Sequence, residues 1–193
     1  MNKTRLEAFS DGVIAIIITI MVLEIKVPHE SGWEGLTNLR WVFLSYLLSF
    51  VVLGIYWVNH HHLIHAIKKV QASILWANLT LLFWLSLFPF VTAWMGESHF
   101  AKNAVIAYAF IANLCGLSYF FLLTAIKKSH LDHADVLKLL KHQTNKGLLS
   151  SVSYLISFIV GFVYPMVSVI IFIIIALIWF IPDRNIENEL SKK

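Results

Sequence analysis

The chain has 193 residues, of which 59% are hydrophobic and only 13% are charged, whereas soluble proteins average about 45–50% apolar and about 25% charged residues. This composition excludes an ordinary soluble globular domain. The formal net charge of +4 does not indicate nucleic-acid binding, because the charges lie in short segments between apolar runs. A single cysteine, Cys115, excludes an internal disulfide framework and any cysteine-based metal cluster.

Four long charge-free stretches predict an all-α integral membrane protein. Residues 41–65, 72–96, 103–126 and 147–182 each exceed the roughly 18 residues expected of a membrane-spanning helix. As one helix the last stretch would be ~54 Å long, against a hydrocarbon core of ~30 Å. It must therefore fold back once, and the break between Gly161 and Pro165 is where a turn is expected.

The first apolar run, residues 12–23, is shorter and could be the core of a secretory signal peptide. Two acidic residues, Glu7 and Asp11, stand in what would be the basic leader, and no small-x-small cleavage site follows. These features favour a retained helix over residues 6–28, ~34 Å long and sufficient to span a bilayer.

The sequence thus predicts one six-helix domain over residues 1–193. The transmembrane helices are expected near residues 6–28, 41–67, 72–95, 103–126, 148–164 and 166–181. Between the fourth and fifth, residues 127–146 are expected to form a solvated connector with a short amphipathic helix on the inner surface.

Charge bias orients these six spans. With the N-terminus inside, twelve Lys and Arg residues lie on the cytoplasmic side and three on the outer side, as the positive-inside rule requires. Both termini are therefore predicted to be cytoplasmic. The inner residues are Lys3, Arg5, Lys68, Lys69, Lys127, Lys128, Lys138, Lys141, Lys146, Arg184, Lys192 and Lys193, and the outer ones are Lys26, Arg40 and Lys102.

Polar residues inside a bilayer are costly and mark candidate functional positions. In this topology the start of helix 1 and the end of helix 2 lie at nearly the same depth, so Asp11 and the helix 2 histidines can meet. Arg5 and Asp11 are about 120° apart around helix 1, so both need partners from other helices. The candidates are Arg5, Glu7, Ser10, Asp11 and Thr19 on helix 1, Asn59, His60, His61, His62 and His65 on helix 2, Asn78 on helix 3 and Asn113 on helix 4.

Known catalytic motifs are absent from the sequence, which predicts no enzyme and no catalytic residues. His61 and His65 are spaced i, i+4, and His62 and His65 i, i+3, which invites a metal or haem interpretation. The favoured interpretation is an interfacial histidine cluster, hydrogen-bonded in the bundle, with no metal and no cofactor.

The apolar residues of helix 1 also share a face. Ile16, Ile20 and Leu23 follow an i, i+4, i+7 pattern, and Thr19 lies beside them. Taken alone, this pattern is explained by ordinary helix packing, because the helix is apolar on most sides.

Two motifs carry a family resemblance that covers the whole chain. The segment from Arg5 through Phe9, Ser10 and Asp11 reads R-L-E-A-F-S-D-G, and helix 2 contains Y-W-V-N-H-H over residues 56–61. Together they resemble the transmembrane protein 175 family of lysosomal and prokaryotic potassium channels, marked by an Arg-x-x-x-Phe-Ser-Asp motif. Asn78, L-F-P-F over residues 87–90 and W-F-I-P-D-R over residues 179–184 extend the similarity.

The resemblance implies a homotetramer in a prokaryotic plasma membrane, with helix 1 of every subunit lining a central pore. It places the aliphatic pore constriction at Ile16, Ile20 and Leu23, with Thr19 beside the narrowest ring, and potassium as the permeant ion. It also implies a polar network that secures helix 1, leaving open which of three adjacent histidines takes part. The motif and network residues are Arg5, Phe9, Ser10, Asp11, Trp57, Asn59, His60 and His61, with His62 as the further alternative.

A potassium-selective cation channel is the first hypothesis for this chain. The second is a proton-coupled transporter that uses Asp11 and a helix 2 histidine as its relay. The third is a non-transporting membrane scaffold or metal-binding protein.

Overall fold

The computed structural model describes residues 2–28, 32–132 and 134–180, and every regular element within these ranges is a helix. These elements are α1 (Lys3–Leu23), α2 (Trp33–Asn38), α3 (Arg40–His65), α4 (Ala72–Leu85), α5 (Phe88–Glu97), α6 (Lys102–Ser129), α7 (Ala134–Gly161) and α8 (Pro165–Phe180).

Four stretches among the described residues are long and apolar enough to cross a membrane: α1, α3, the pair α4 and α5 taken together, and α6. Two shorter apolar helical stretches follow, Lys146–Gly161 and Pro165–Trp179. The all-helical membrane architecture predicted from composition is thus confirmed.

Local interactions set both ends of α1. The side chain of Asn2 caps the N-terminus, accepting a hydrogen bond from the backbone N–H of Arg5 at 2.9 Å. The helix ends at Leu23, five residues before the predicted end, where the chain turns through polar Glu24.

Beyond the end of α1, Lys26 Nζ donates a hydrogen bond to Glu97 Oε1 at 2.5 Å. That hydrogen bond, reinforced by the charge of Glu97, raises the pKa of Lys26.

The third predicted helix, residues 72–95, is broken in two. α4 ends at Leu85 and α5 begins at Phe88, with Pro89 in the first turn of α5. Proline has no N–H to donate to the carbonyl of Leu85, and its ring would clash with that carbonyl in a continuous helix. The interruption is therefore a proline break, and a hydrogen bond from the Ser86 hydroxyl to the Phe83 carbonyl, 2.7 Å long, lies beside it.

The predicted inner connector, residues 127–146, is almost entirely helical. α6 continues to Ser129 and α7 already begins at Ala134, so only a short turn separates the two helices. Gly147 lies within α7 and does not end the helix, since its φ is negative as in the rest of the helix. The fifth helix therefore starts well before the predicted residue 148.

The turn between α7 and α8 lies at the expected Gly161–Pro165 segment. Pro165 is the first residue of α8. At this position a backbone N–H would have no intrahelical acceptor, so the absence of an N–H in proline costs nothing. The hydroxyls of Ser157 and Ser168 are 2.7 Å apart and fully buried, and they join the two helices across this turn.

Small residues allow the helices to approach closely. An added Cβ at Gly96, near the end of α5, would lie 2.5 Å from Ser45 Oγ and 2.7 Å from the Cα of Val42. Both of these atoms belong to α3, and one of them is backbone. The contact between α3 and α5 thus depends on the missing side chain, as at other close crossings of membrane helices.

We expect Gly96→Ala to destabilise the protein by about 1–3 kcal/mol, because the α3 backbone must shift to admit the methyl group. Thermal unfolding of the purified protein in detergent measures the effect as a lower Tm. Gly54→Ala, within α3, is the matched control because a Cβ added there would meet nothing within 4 Å apart from its chain neighbours and the backbone of its own helix. It should melt at or slightly above the wild-type temperature. Equal melting of both variants would contradict the close contact.

Candidate functional site

The helix α1 has two opposite faces, one buried and one exposed. One face is buried against α3, α4 and α5 and consists of Leu6, Ser10, Ile14, Ile17 and Met21. The other face is exposed in the isolated chain and carries the predicted pore positions. Their exposed fractions are 58% for Ile16, 42% for Ile20 and 77% for Leu23, and Thr19 is also exposed.

This exposed face is aliphatic over nearly its whole length. Thr19 supplies a hydroxyl, which donates to the carbonyl of Ile16 at 2.9 Å and keeps its oxygen lone pairs available. Phe9, half-exposed, extends the face toward the start of the helix. Ile18, in contrast, packs partly buried against the core, so it belongs to a different side of α1.

A chain of buried hydrogen bonds holds the opposite face. Asn78 on α4 donates from Nδ2 to Ser10 Oγ at 2.9 Å, and its Oδ1 lies 2.7 Å from His60 Nε2 on α3. The Ser10 hydroxyl in turn donates to the Leu6 carbonyl. Since Oδ1 can only accept, His60 carries its proton on Nε2. All three side chains are at most 1% exposed.

Asp11 has a different partner. The indole of Trp57 on α3 donates from Nε1 to Asp11 Oδ1 at 3.0 Å. His60, the fully buried histidine of α3, is bonded to Asn78 and not to this carboxylate. Nearby on α3, Asn59 donates its amide to the Ile55 carbonyl at 2.8 Å and so bonds within its own helix.

Glu7 makes further polar contacts from α1. Its Oε1 lies 3.2 Å from His61 Nδ1 and 3.4 Å from His65 Nε2, both at the end of α3. Lys3 adds a hydrogen bond from Nζ to the His65 carbonyl at 2.6 Å.

The polar network expected at this end of α1 is therefore three separate contacts. Ser10 reaches His60 through Asn78, Asp11 pairs with Trp57, and Glu7 faces His61 and His65. Arg5 joins none of them: its side chain is exposed and has no hydrogen bond or ion pair within the described part of the chain. The angle of about 120° between Arg5 and Asp11 keeps them apart on the helix surface.

Two residues that take part in these contacts, Asn78 and Glu7, were polar candidates but were not among the predicted motif and network residues. Asn78 is a lone amide in the apolar α4, which itself signals a buried hydrogen-bonding role. Glu7 precedes Asp11 by one helical turn, and the i, i+4 spacing of His61 and His65 offers it a pair of imidazoles on one face.

We expect Asn78→Leu to destabilise the protein by about 1–3 kcal/mol, because it leaves the His60 N–H buried without an acceptor. Thermal unfolding in detergent measures the loss. Thr80→Val, an exposed position on α4 whose hydroxyl bonds only within the helix, is the control and should melt near the wild type. Adding His60→Phe to Asn78→Leu should cost less than the sum of the single changes. Full additivity would contradict a direct coupling.

Comparison with known proteins places this arrangement in a family. Residues 5–89, which contain most of α1, all of α3 and Asn78, match the family model described as the endosomal/lysosomal potassium channel TMEM175. A Chryseobacterium protein described as a potassium channel is 47% identical over 192 residues, covering 100% of both chains. A Streptomyces collinus protein with the same description is 41% identical over 102 residues, covering 50% of each chain.

A solved structure agrees with these sequence matches. The crystal structure of a TMEM175 homologue from Chamaesiphon minutus, described as a potassium-selective channel, superposes with a TM-score of 0.80 at 30% sequence identity. The superposition covers 92% of this chain and 95% of the other. Sequence identity along the full length and the shared fold lead to one conclusion: the chain belongs to the TMEM175 family.

Proposed function

We propose that this chain is one subunit of a homotetrameric, potassium-selective cation channel whose pore is lined by the exposed face of α1. The observation that carries the proposal is the division of α1 into two faces. Ser10 is fixed by buried hydrogen bonds on one side, and Ile16, Ile20 and Leu23 are exposed on the other. Three relatives, named as potassium channels or described as potassium-selective, support the choice of ion.

The apolar character of the exposed surface supports assembly of several subunits. A single α1 cannot enclose a path for ions, so several copies must surround an axis. The apolar surface continues from α1 onto α5, where Phe90 is 64% exposed and Trp94 is 40% exposed. Between the two helices lies an open groove that Ile16 and Ile20 help to line. Neighbouring subunits and lipid would cover this surface in the tetramer.

The conduction mechanism rests on water exclusion. Four Ile16 side chains around an axis leave a narrow aliphatic bore, from which water is easily displaced. An ion must lose part of its hydration shell there, and this desolvation is the main barrier to its passage. The Thr19 hydroxyls, one turn further along, offer oxygen atoms that partly replace the lost water.

The membrane arrangement completes the proposal. Six spans with both termini in the cytoplasm of a prokaryotic cell make the ends of α1 and α3 that carry Ser10, Asp11 and His60 the cytoplasmic ends. The four long apolar stretches and the two shorter apolar helices are the candidates for these six crossings.

Ile16→Asn should raise single-channel conductance and weaken the preference for potassium over sodium, because amide dipoles serve either ion in a wetter ring. Purified channels in planar bilayers, with potassium on one side and sodium on the other, report the change as a reversal potential closer to zero. Ile18→Ala, about 160° around the helix, is the control and should keep the wild-type reversal potential. If Ile16→Asn also keeps it, Ile16 is an ordinary packing residue.

Cysteine labelling tests the topology in intact cells. Cys115 is the only cysteine in the sequence, so Cys115→Ser gives a background without thiols. A membrane-impermeant maleimide should label Thr37→Cys, which is exposed on α2, and should leave Lys128→Cys and Ser191→Cys unlabelled until the cells are opened. Labelling of Ser191→Cys from outside would make the number of spans odd and refute the six-helix arrangement.

A further inference from the structure

Three potential metal ligands converge where the start of α1 meets the end of α3. Glu7 Oε1 lies 3.2 Å from His61 Nδ1 and 3.4 Å from His65 Nε2, and one ligand atom from each residue lies within 4.8 Å of the others. The Glu7 side chain is 20% exposed, and those of His61 and His65 are 43% and 45% exposed. All three side chains are thus partly buried and partly accessible in the isolated chain.

The ligand types and their spacing suit a small divalent transition metal. Two histidines one helical turn apart and one carboxylate from another helix form a three-ligand set, with a fourth position left for water. Ligands bound at 2.0–2.1 Å in a tetrahedral site lie ~3.3 Å apart. The separations of 3.2 and 3.4 Å from Glu7 Oε1 already have about this length, so a metal requires the imidazoles to turn their lone pairs toward a common point.

The alternative for these residues is a hydrogen-bonded cluster without metal. In that arrangement both imidazoles direct a nitrogen at the same carboxylate oxygen, so each must carry its proton on that nitrogen. Metal binding instead needs the lone pairs of His61 Nδ1 and His65 Nε2, with the protons on the opposite ring nitrogens. The two arrangements use nearly the same positions of the heavy atoms. They differ in whether the space between Glu7 and the two imidazoles holds the donated protons or a cation.

We propose that Glu7, His61 and His65 bind one divalent transition-metal ion of the zinc class. The ion joins α1 to α3 at the end where Lys3 also contacts the His65 carbonyl. The site is separate from the buried chain through Asn78 and from the aliphatic face of α1. Metal binding would add a coordinate link between the two helices, and it does not depend on the conduction proposed above.

Isothermal titration of the full-length protein, freed of metal with EDTA in detergent, tests the proposal with zinc chloride alone. We expect one zinc ion per chain and a higher Tm in its presence, because the metal binds only the folded arrangement. Cobalt(II) in the same protein should give the strong visible absorption of a four-coordinate ion. Loss of an outer-shell partner typically weakens metal binding about 10–100-fold. Glu7→Gln, His61→Gln and His65→Gln each remove or weaken a direct ligand, so each should weaken zinc binding by at least this factor.

His99→Asn is the matched control. It removes an exposed imidazole just beyond the end of α5, at a positive backbone φ of 54° that asparagine tolerates well. Its zinc affinity should equal that of the wild type. No saturable zinc binding by the wild type, or equal binding by the wild type and all three glutamine variants, would overturn the site. Both measurements are independent of ion currents, so their failure would leave the proposed channel function intact.

Discussion

The hydrogen-bonded chain from Ser10 through Asn78 to His60 is the contact on which the position of α1 depends. Inside a bilayer no water replaces a lost partner, so a buried polar group is costly unless another part of the protein bonds to it. Asn78 meets this requirement for two helices at once, because its amide donates to α1 and its carbonyl oxygen accepts from α3. A shift of either helix would leave polar atoms buried and unpaired, which makes the relative position of the three helices a sharply defined minimum.

That contact also sets the rotation of α1 about its own axis. At 100° per residue, Ile16, Thr19, Ile20 and Leu23 lie roughly 80–180° from Ser10 around the helix. Fixing Ser10 inward therefore turns the aliphatic face outward, where the isolated chain leaves it exposed. A rotation by one residue would bring Ile17 to the outer face and pull Ser10 away from Asn78. The polar residues thus influence the proposed pore without lining it.

Hydropathy and charge were sufficient to predict the helical class and the positions of the apolar stretches, because bilayer thickness fixes how long such a stretch must be. The break before Pro89 and the early start of α7 were not predicted. In the first case proline stood within a continuous apolar run, and in the second a polar segment could be either loop or helix.

The hydrogen-bond partners within the site were harder to predict than the helix boundaries. Counting along α1 identifies which residues share a face, but only the packing of α4 shows that Asn78 stands between Ser10 and His60, and that Trp57 reaches Asp11.

An aliphatic constriction has no dipoles with which to coordinate an ion, so its preference for potassium requires another origin. Sodium is the smaller ion and holds its water more tightly, so forcing both through a dry ring costs sodium more. The Thr19 hydroxyl oxygens can replace part of the hydration that the ion loses. Each hydroxyl already donates to the Ile16 carbonyl, so its orientation is fixed. A ring of fixed oxygens can match one ion radius better than another. In the proposed channel, selectivity would then come from dehydration at Ile16 followed by partial recovery at Thr19, and a side chain that rehydrates the ring would remove the first of these two steps.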